Sequence, residues 1–304
     1  MKQDLKTFQG KGEAIVNYQI NIVRAWIPVL LSCTLIAQPG FAEDKDHAEK
    51  PAVWVPNKLS DGQPDVQGFW RPANQGTYSL VNPRNGQDGK PDKDGKIPKR
   101  PVKPSRIIDP ADGQVPYQPW ARAKQQHVQA NFNNPVSQEF IDPQARCFPG
   151  GVSRQQWWHN TEIRQYPNYV VIIGDADRRI IPLDGRPHIP GNIKLWMSDS
   201  RGHWEGNTLI VDVTNSNAKH RLSNEGDFSS DSVHIQERFT FLDANTYQYQ
   251  ATYEDPRVYT RPWTVSSKQV RANTDEPDFE AWEYACIEGE KNTDNYITEK
   301  IVSQ

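Results

Sequence analysis

Arg201-Gly202-His203-Trp204-Glu205-Gly206-Asn207-Thr208-Leu209-Ile210-Val211-Asp212 places two short runs on either side of a Gly-Asn turn. A turn of that composition between alternating runs is a hairpin signal, because Gly and Asn tolerate the left-handed backbone that tight hairpins need. The same grammar recurs on both sides of it. Upstream, 169–173 and 179–183 flank Gly174-Asp175-Ala176-Asp177. Downstream, 233–241 and 247–253 flank Asp243-Ala244-Asn245, and 259–270 and 279–286 follow. With 195–204 and 208–214, these make eight predicted strands joined by short links, which favour antiparallel neighbours. The expected fold is therefore mainly β: an antiparallel up-and-down barrel or strongly curved sheet of lipocalin-like form.

Outside this block the chain is irregular, as 24 Pro and 19 Gly require. Residues 1–42 read as a cleaved signal peptide, with Lys2, Lys6, Lys11 and Arg24 before an apolar run and a small-residue site ending at Ala42. Leu30-Leu31-Ser32-Cys33 resembles a lipoprotein box, but the apolar run continues past Cys33, so periplasmic or secreted export ranks above lipid anchoring. A flexible tail is expected over 43–66 and a Pro-rich N-terminal wrap over 67–146. A barrel domain is expected over 147–290 and a C-terminal tail over 291–304. The wrap should hold one short helix at 120–131, where Pro119 suits the first turn. No transmembrane span is expected in the mature chain.

After the leader, two cysteines remain, Cys147 and Cys286, and in an exported chain such a pair is expected to form a disulfide. Net charge is only −3 with scattered basic residues, which gives no sign of nucleic-acid binding. Ten Trp and eleven Tyr in so polar a chain need either a core or a ligand. There is no Gly-x-Ser-x-Gly elbow, P-loop, dinucleotide fingerprint or zinc spacing, so neither a cofactor nor a metal is expected.

Period-two geometry assigns the faces. In Val233-His234-Ile235-Gln236-Glu237-Arg238-Phe239-Thr240-Phe241 the odd positions are apolar apart from Glu237. Tyr247, Tyr249, Ala251 and Tyr253 share one face of the next strand, and Tyr259, Arg261, Trp263 and Val265 share one face of the strand after it. Two inward charges favour pairing. Glu237 is thus either a structural partner of Arg261 or Arg238, or a general acid or base in a pocket. In the second case Glu237, Arg261 and Tyr253 are the catalytic candidates, and Tyr249, Tyr259, Trp263, Trp158 and His159 the substrate-binding ones. Trp157-Trp158-His159-Asn160 would then lid the barrel.

The runs Trp204-Glu205-Gly206-Asn207-Thr208-Leu209, His234-Ile235-Gln236-Glu237-Arg238-Phe239 and Asp255-Pro256-Arg257-Val258-Tyr259-Thr260-Arg261-Pro262-Trp263 resemble a family of exported bacterial β-rich proteins of unknown function. Arg146-Cys147-Phe148-Pro149 and Glu283-Tyr284-Ala285-Cys286 match the two ends of that pattern, whereas Asn207 and Ser198-Asp199-Ser200 depart from it. The resemblance implies export and β architecture, and brings no reaction. The expected function is cofactor-free acid/base chemistry of lyase, isomerase or hydrolase type on a small, partly hydrophobic molecule. A lipocalin-type binding protein is the alternative, and a carbohydrate-binding module the third class.

Overall fold

The structure, a computed structural model, describes residues 54–74, 76, 78–82, 93–94, 104–158 and 160–272. The predicted leader, the strand at 279–286 with Cys286, and His159 lie outside the described residues. The fold is mainly β: among the described residues there are ten antiparallel strands in a nearly closed barrel-like sheet and one α-helix.

The predicted hairpins are present. They comprise β4 (Tyr169–Gly174) with β5 (Arg178–Pro182), β6 (Asp199–Glu205) with β7 (Thr208–Thr214), and β8 (His234–Asp243) with β9 (Thr246–Glu254), after which β10 (Trp263–Arg271) pairs with β9. Three further strands were not expected: β1 (Gly68–Pro72), β2 (Ile107–Asp109) and β3 (Thr161–Tyr166). The order is β5-β4-β3-β1-β10-β9-β8-β7-β6, and β1 and β2 lie end to end along one edge of β10. Part of the region predicted to wrap the barrel is therefore built into its wall.

The sheet closes through side chains where β5 meets β6. A Cβ on Gly202 of β6 would come within 2.7 Å of Ile181 Cγ2 and 2.9 Å of Leu183 Cδ2, so glycine is what lets the two end strands approach. A wall of this many strands encloses more space than an eight-stranded barrel, whose interior side chains alone can fill. Here a segment of chain takes up that space. Gly150, Gly151, Val152, the short 3₁₀ turn Ser153–Gln156 and Trp157 are all buried. They meet the wall through hydrogen bonds. Tyr253 donates to Ser153 Oγ (2.5 Å) and Tyr247 to Gln156 Oε1 (2.8 Å), while Ser267 and Gln269 donate to the Gln156 carbonyl. Trp70, Trp263, Tyr249 and Phe239 complete the core, with Tyr253 stacked on Trp263 at 4.6 Å.

Helix α1 (Pro119–Asn131) begins at proline, as its sequence dictates. It packs lightly, burying Ala121 and Gln125. The tight neighbour is Gly226, whose added Cβ would strike Val128.

Candidate active site

The period-two face assignment places Val233, Ile235, Glu237, Phe239 and Phe241 together in the covered interior, with Tyr247, Tyr249, Ala251 and Tyr253 beside them. Glu237 is 0% exposed. Its partner corrects the expectation. Neither Arg261 nor Arg238 pairs with it. Arg179 Nη1 on β5 donates to Glu237 Oε2 at 2.7 Å, and Tyr249 OH donates to Oε1 at 2.6 Å. Arg261 instead points outward, its side chain 46% exposed, and donates to Asp109 Oδ1 at 2.5 Å. The physical reason is Pro262. It has no N–H to give a ladder, so the strand starts at Trp263 and alternation counted through the turn fails. Arg238 lies on the outer face, near Glu205.

Tyr253, expected to be catalytic, and Tyr249, Tyr259 and Trp263, expected to bind substrate, are packed in the buried interior. Tyr249 is committed to Glu237, Tyr253 to Ser153 and Tyr259 to the Phe228 carbonyl. Burial holds the hydroxyl pKa of Tyr247, Tyr249, Tyr253 and Tyr259 above the ordinary tyrosine value. Of the expected binding residues described, Trp158 is the one left accessible, at 38%.

Trp158 borders a small cleft that also takes in Gln144, Arg154, Gln155, Asn160, Thr161, Gly174, Asp175 and Asp177. The β4–β5 hairpin supplies its acidic side. The Gly174 N–H closes the turn on the Asp177 carbonyl at 2.7 Å, which brings the Asp177 side chain against the buried segment. Gln155 Nε2 donates to Asp177 Oδ1 at 2.5 Å and the Gly150 N–H to Oδ2 at 3.4 Å. Burial raises the Asp177 pKa above the usual carboxylate value; the two hydrogen bonds and the Arg179 charge oppose this and only partly offset it. Arg154 forms the opposite side, with Nη1 on Asp142 at 2.8 Å and Nη2 on Asn224 at 2.7 Å. The sequence offered one clue to Asp177. It precedes Arg179 by two residues, so the alternation that carries Ile181 and Arg179 inward carries Asp177 to the same side.

A second polar cluster lies on the outer wall. His188 Nδ1 is 2.6 Å from Asp199 Oδ2 and its Nε2 is 3.1 Å from Asp212 Oδ1, whose other oxygen is 3.0 Å from His234 Nε2. The Ile189 N–H and Arg201 also donate to Asp199. The cluster fastens the exposed connection between β5 and β6 to β6, β7 and β8. Among the described residues, no group of three or more His, Cys, Asp or Glu is arranged to hold a metal ion, and no helix is long and apolar enough to cross a membrane.

Comparison of the chain with protein-family models, with curated proteins and with solved structures found no match.

Proposed function

We propose that the protein is an exported small-molecule enzyme that performs cofactor-free acid/base chemistry, with Asp177 as the proton-transferring group in the cleft beside Trp158. The observation that carries this reading is the environment of Asp177. It is a carboxyl at the edge of a small cleft, its pKa raised above the usual carboxylate value by burial, and held in place by Gln155 and the Gly150 N–H. Such a group suits elimination, isomerisation or hydrolysis, where a positioned acid or base contributes ~10²-fold or more. Glu237 then serves as the sealed counter-charge of Arg179 behind the site. The same proposal takes the leader 1–42 as removed, Cys147 as bridged to Cys286, and the chain as a relative of the exported family its motifs resemble.

The test is Asp177→Asn, which keeps the side-chain shape and removes proton transfer. Screening the purified mature chain against small-molecule esters, glycosides and lactones should identify a turnover that this variant loses by ~10²-fold, with ligand binding retained. A variant that binds and turns over at the parent rate would remove Asp177 as the catalytic group. Binding without turnover in the parent chain would favour the lipocalin-type alternative, with the ligand in the cleft.

A further inference from the structure

We infer that the outer face of β3, β4 and β5 is an interface on which a second copy of this chain docks about a two-fold axis. Strand β4 reads Tyr169-Val170-Val171-Ile172-Ile173, apolar or aromatic at every position, whereas an antiparallel strand with one side in water alternates. The outer positions elsewhere in the wall do alternate to polar residues: Gln236 and Arg238 on β8, Gln248 and Gln250 on β9, Ser266 and Lys268 on β10. Those of β3–β5 do not. Tyr166, Tyr169, Ile173 and Ile180 stand on the outside at 45%, 37%, 37% and 58% exposure, with the two tyrosine rings stacked at 5.0 Å. This sector has one face in the core and a second apolar face left open, which is the pattern of a sheet covered on both sides.

The charges at the rim say what covers it. The register sets Glu162, Ile173 and Arg178 side by side in one row across the three strands, and Arg164, Val171 and Ile180 in the next. An acid and a base therefore flank the apolar centre at opposite ends of one row. Rotation by 180° about an axis lying along β4 in the interface lays β3 of each copy over β5 of the other, row upon row. Val171 and Ile173 then meet their own counterparts, and Ile180 receives the aliphatic stem of the partner's Arg164. Glu162 meets the partner's Arg178, and the symmetry makes this pair twice. Within its own chain Glu162 rests against Arg164, and Arg178 has no ion pair among the described residues, so the pairing across the axis gives Arg178 its counter-charge. A lipid surface would accept the tyrosines and arginines but would bury Glu162 with no new partner. The four exposed side chains offer on the order of 400 Å², about half of the ~800 Å² that one partner gives to a standard interface, and the arginine stems add to it. That size fits a reversible dimer rather than an obligate one.

The test is sedimentation velocity of the purified protein from about 1 to about 100 μM, the range in which a reversible dimer of this size forms. The parent chain should reach twice the monomer mass at the upper end. Ile180→Glu should stay monomeric throughout; its position is exposed enough for the variant to fold, which circular dichroism checks. Glu162→Arg and Arg178→Glu should each weaken the dimer at least about tenfold, whereas the double variant, which exchanges the two charges, should recover most of that loss. A parent chain that remains monomeric to about 100 μM overturns the inference. So does a dimer that Ile180→Glu leaves intact, or a double variant that associates no more tightly than either single one. A monomer that instead sediments with phosphatidylcholine or phosphatidylglycerol vesicles, and ceases to do so in Ile180→Glu, assigns the face to a lipid surface and overturns it as well.

Discussion

The guanidinium of Arg179 on β5 donates to the carboxylate of Glu237 on β8 at 2.7 Å, with both side chains almost wholly buried. In the path of the sheet, five strands lie between β5 and β8, so the pair spans the interior of the wall rather than linking neighbours. It also ties the hairpin that carries Asp177 to the centre of the core. Arg179 Nε and Nη2 have no partner among the described residues, which leaves Glu237 as the group that makes the buried cation tolerable.

Glu237→Gln should therefore destabilise the protein by about 3–5 kcal/mol, the usual cost of stranding one member of a buried pair. Replacing both members, as in Glu237→Gln with Arg179→Met, should recover most of that loss. Urea unfolding midpoints at constant slope measure both effects. A single variant within ~1 kcal/mol of the parent would show that water reaches the pair, contrary to its burial.

Gly202→Ala tests the closure of the wall. Its methyl would sit 2.7 Å from Ile181 Cγ2, and a β-branched side chain has little freedom to withdraw. Overpacking of this kind costs about 1–3 kcal/mol, and Ile181→Ala in the same chain should restore part of it. Two independent, additive losses would mean that the contact between β5 and β6 does not close the barrel.

The faces of β8 and β9 were legible because every inward position but Glu237 is apolar or aromatic, so period two is unambiguous there. β3 was not legible. Its inward residues are Thr161, Ile163 and Gln165, and Gln165 is buried because its amide serves the backbone of Val66 and Pro64. Polar residues satisfied by distant backbone leave no hydrophobic period to read. Arg179 was hidden by its neighbours. Ile180 and Ile181 together look like a strand apolar on both faces, yet Ile180 is 58% exposed and Arg179 takes the inward place. Of the candidate site, Trp158 was picked out and Asp177, Gln155 and Arg154 were not. It is built by a hairpin turn and by residues 150–157 crossing the interior, and neither carries a motif of known chemistry.

His220 should govern stability on the acid side. Burial, with the Arg154 charge second, lowers its pKa from 6.5 to about 4. The folded state therefore binds the proton less tightly than the unfolded chain, so the contribution is present above pH 6.5 and is lost as pH falls towards 4. It amounts to about 3 kcal/mol. His220→Leu should flatten this acid limb in unfolding measured between pH 7 and 4. An unchanged limb would assign acid lability to other groups. Asp227, raised by burial beside Tyr117 and Ser223, works in the opposite direction, losing stability as pH rises above the carboxylate range.

Asp177 should also resist ionisation, and here the sign bears on function. Its folded pKa lies above 3.8, with burial the first cause, so the protonated form is favoured in the native state and stability falls as pH rises through the folded value. A carboxyl-directed ¹³C titration should show its resonance moving above the pH at which Asp184 moves, since Asp184 is exposed and its pKa is lowered to about 2 by hydrogen bonds from Arg186. Gln155→Ala removes the donor that most opposes the effect of burial and should raise the Asp177 value further, whereas water entering the space left by the shortened side chain would lower it. If the enzyme reading holds, the pH at which turnover changes should follow the same direction in the same variant. A titration of Asp177 at or below the ordinary carboxylate value in the parent chain would show the group to be solvated, and a solvated carboxyl at that position has no advantage as a proton donor over any other on the surface.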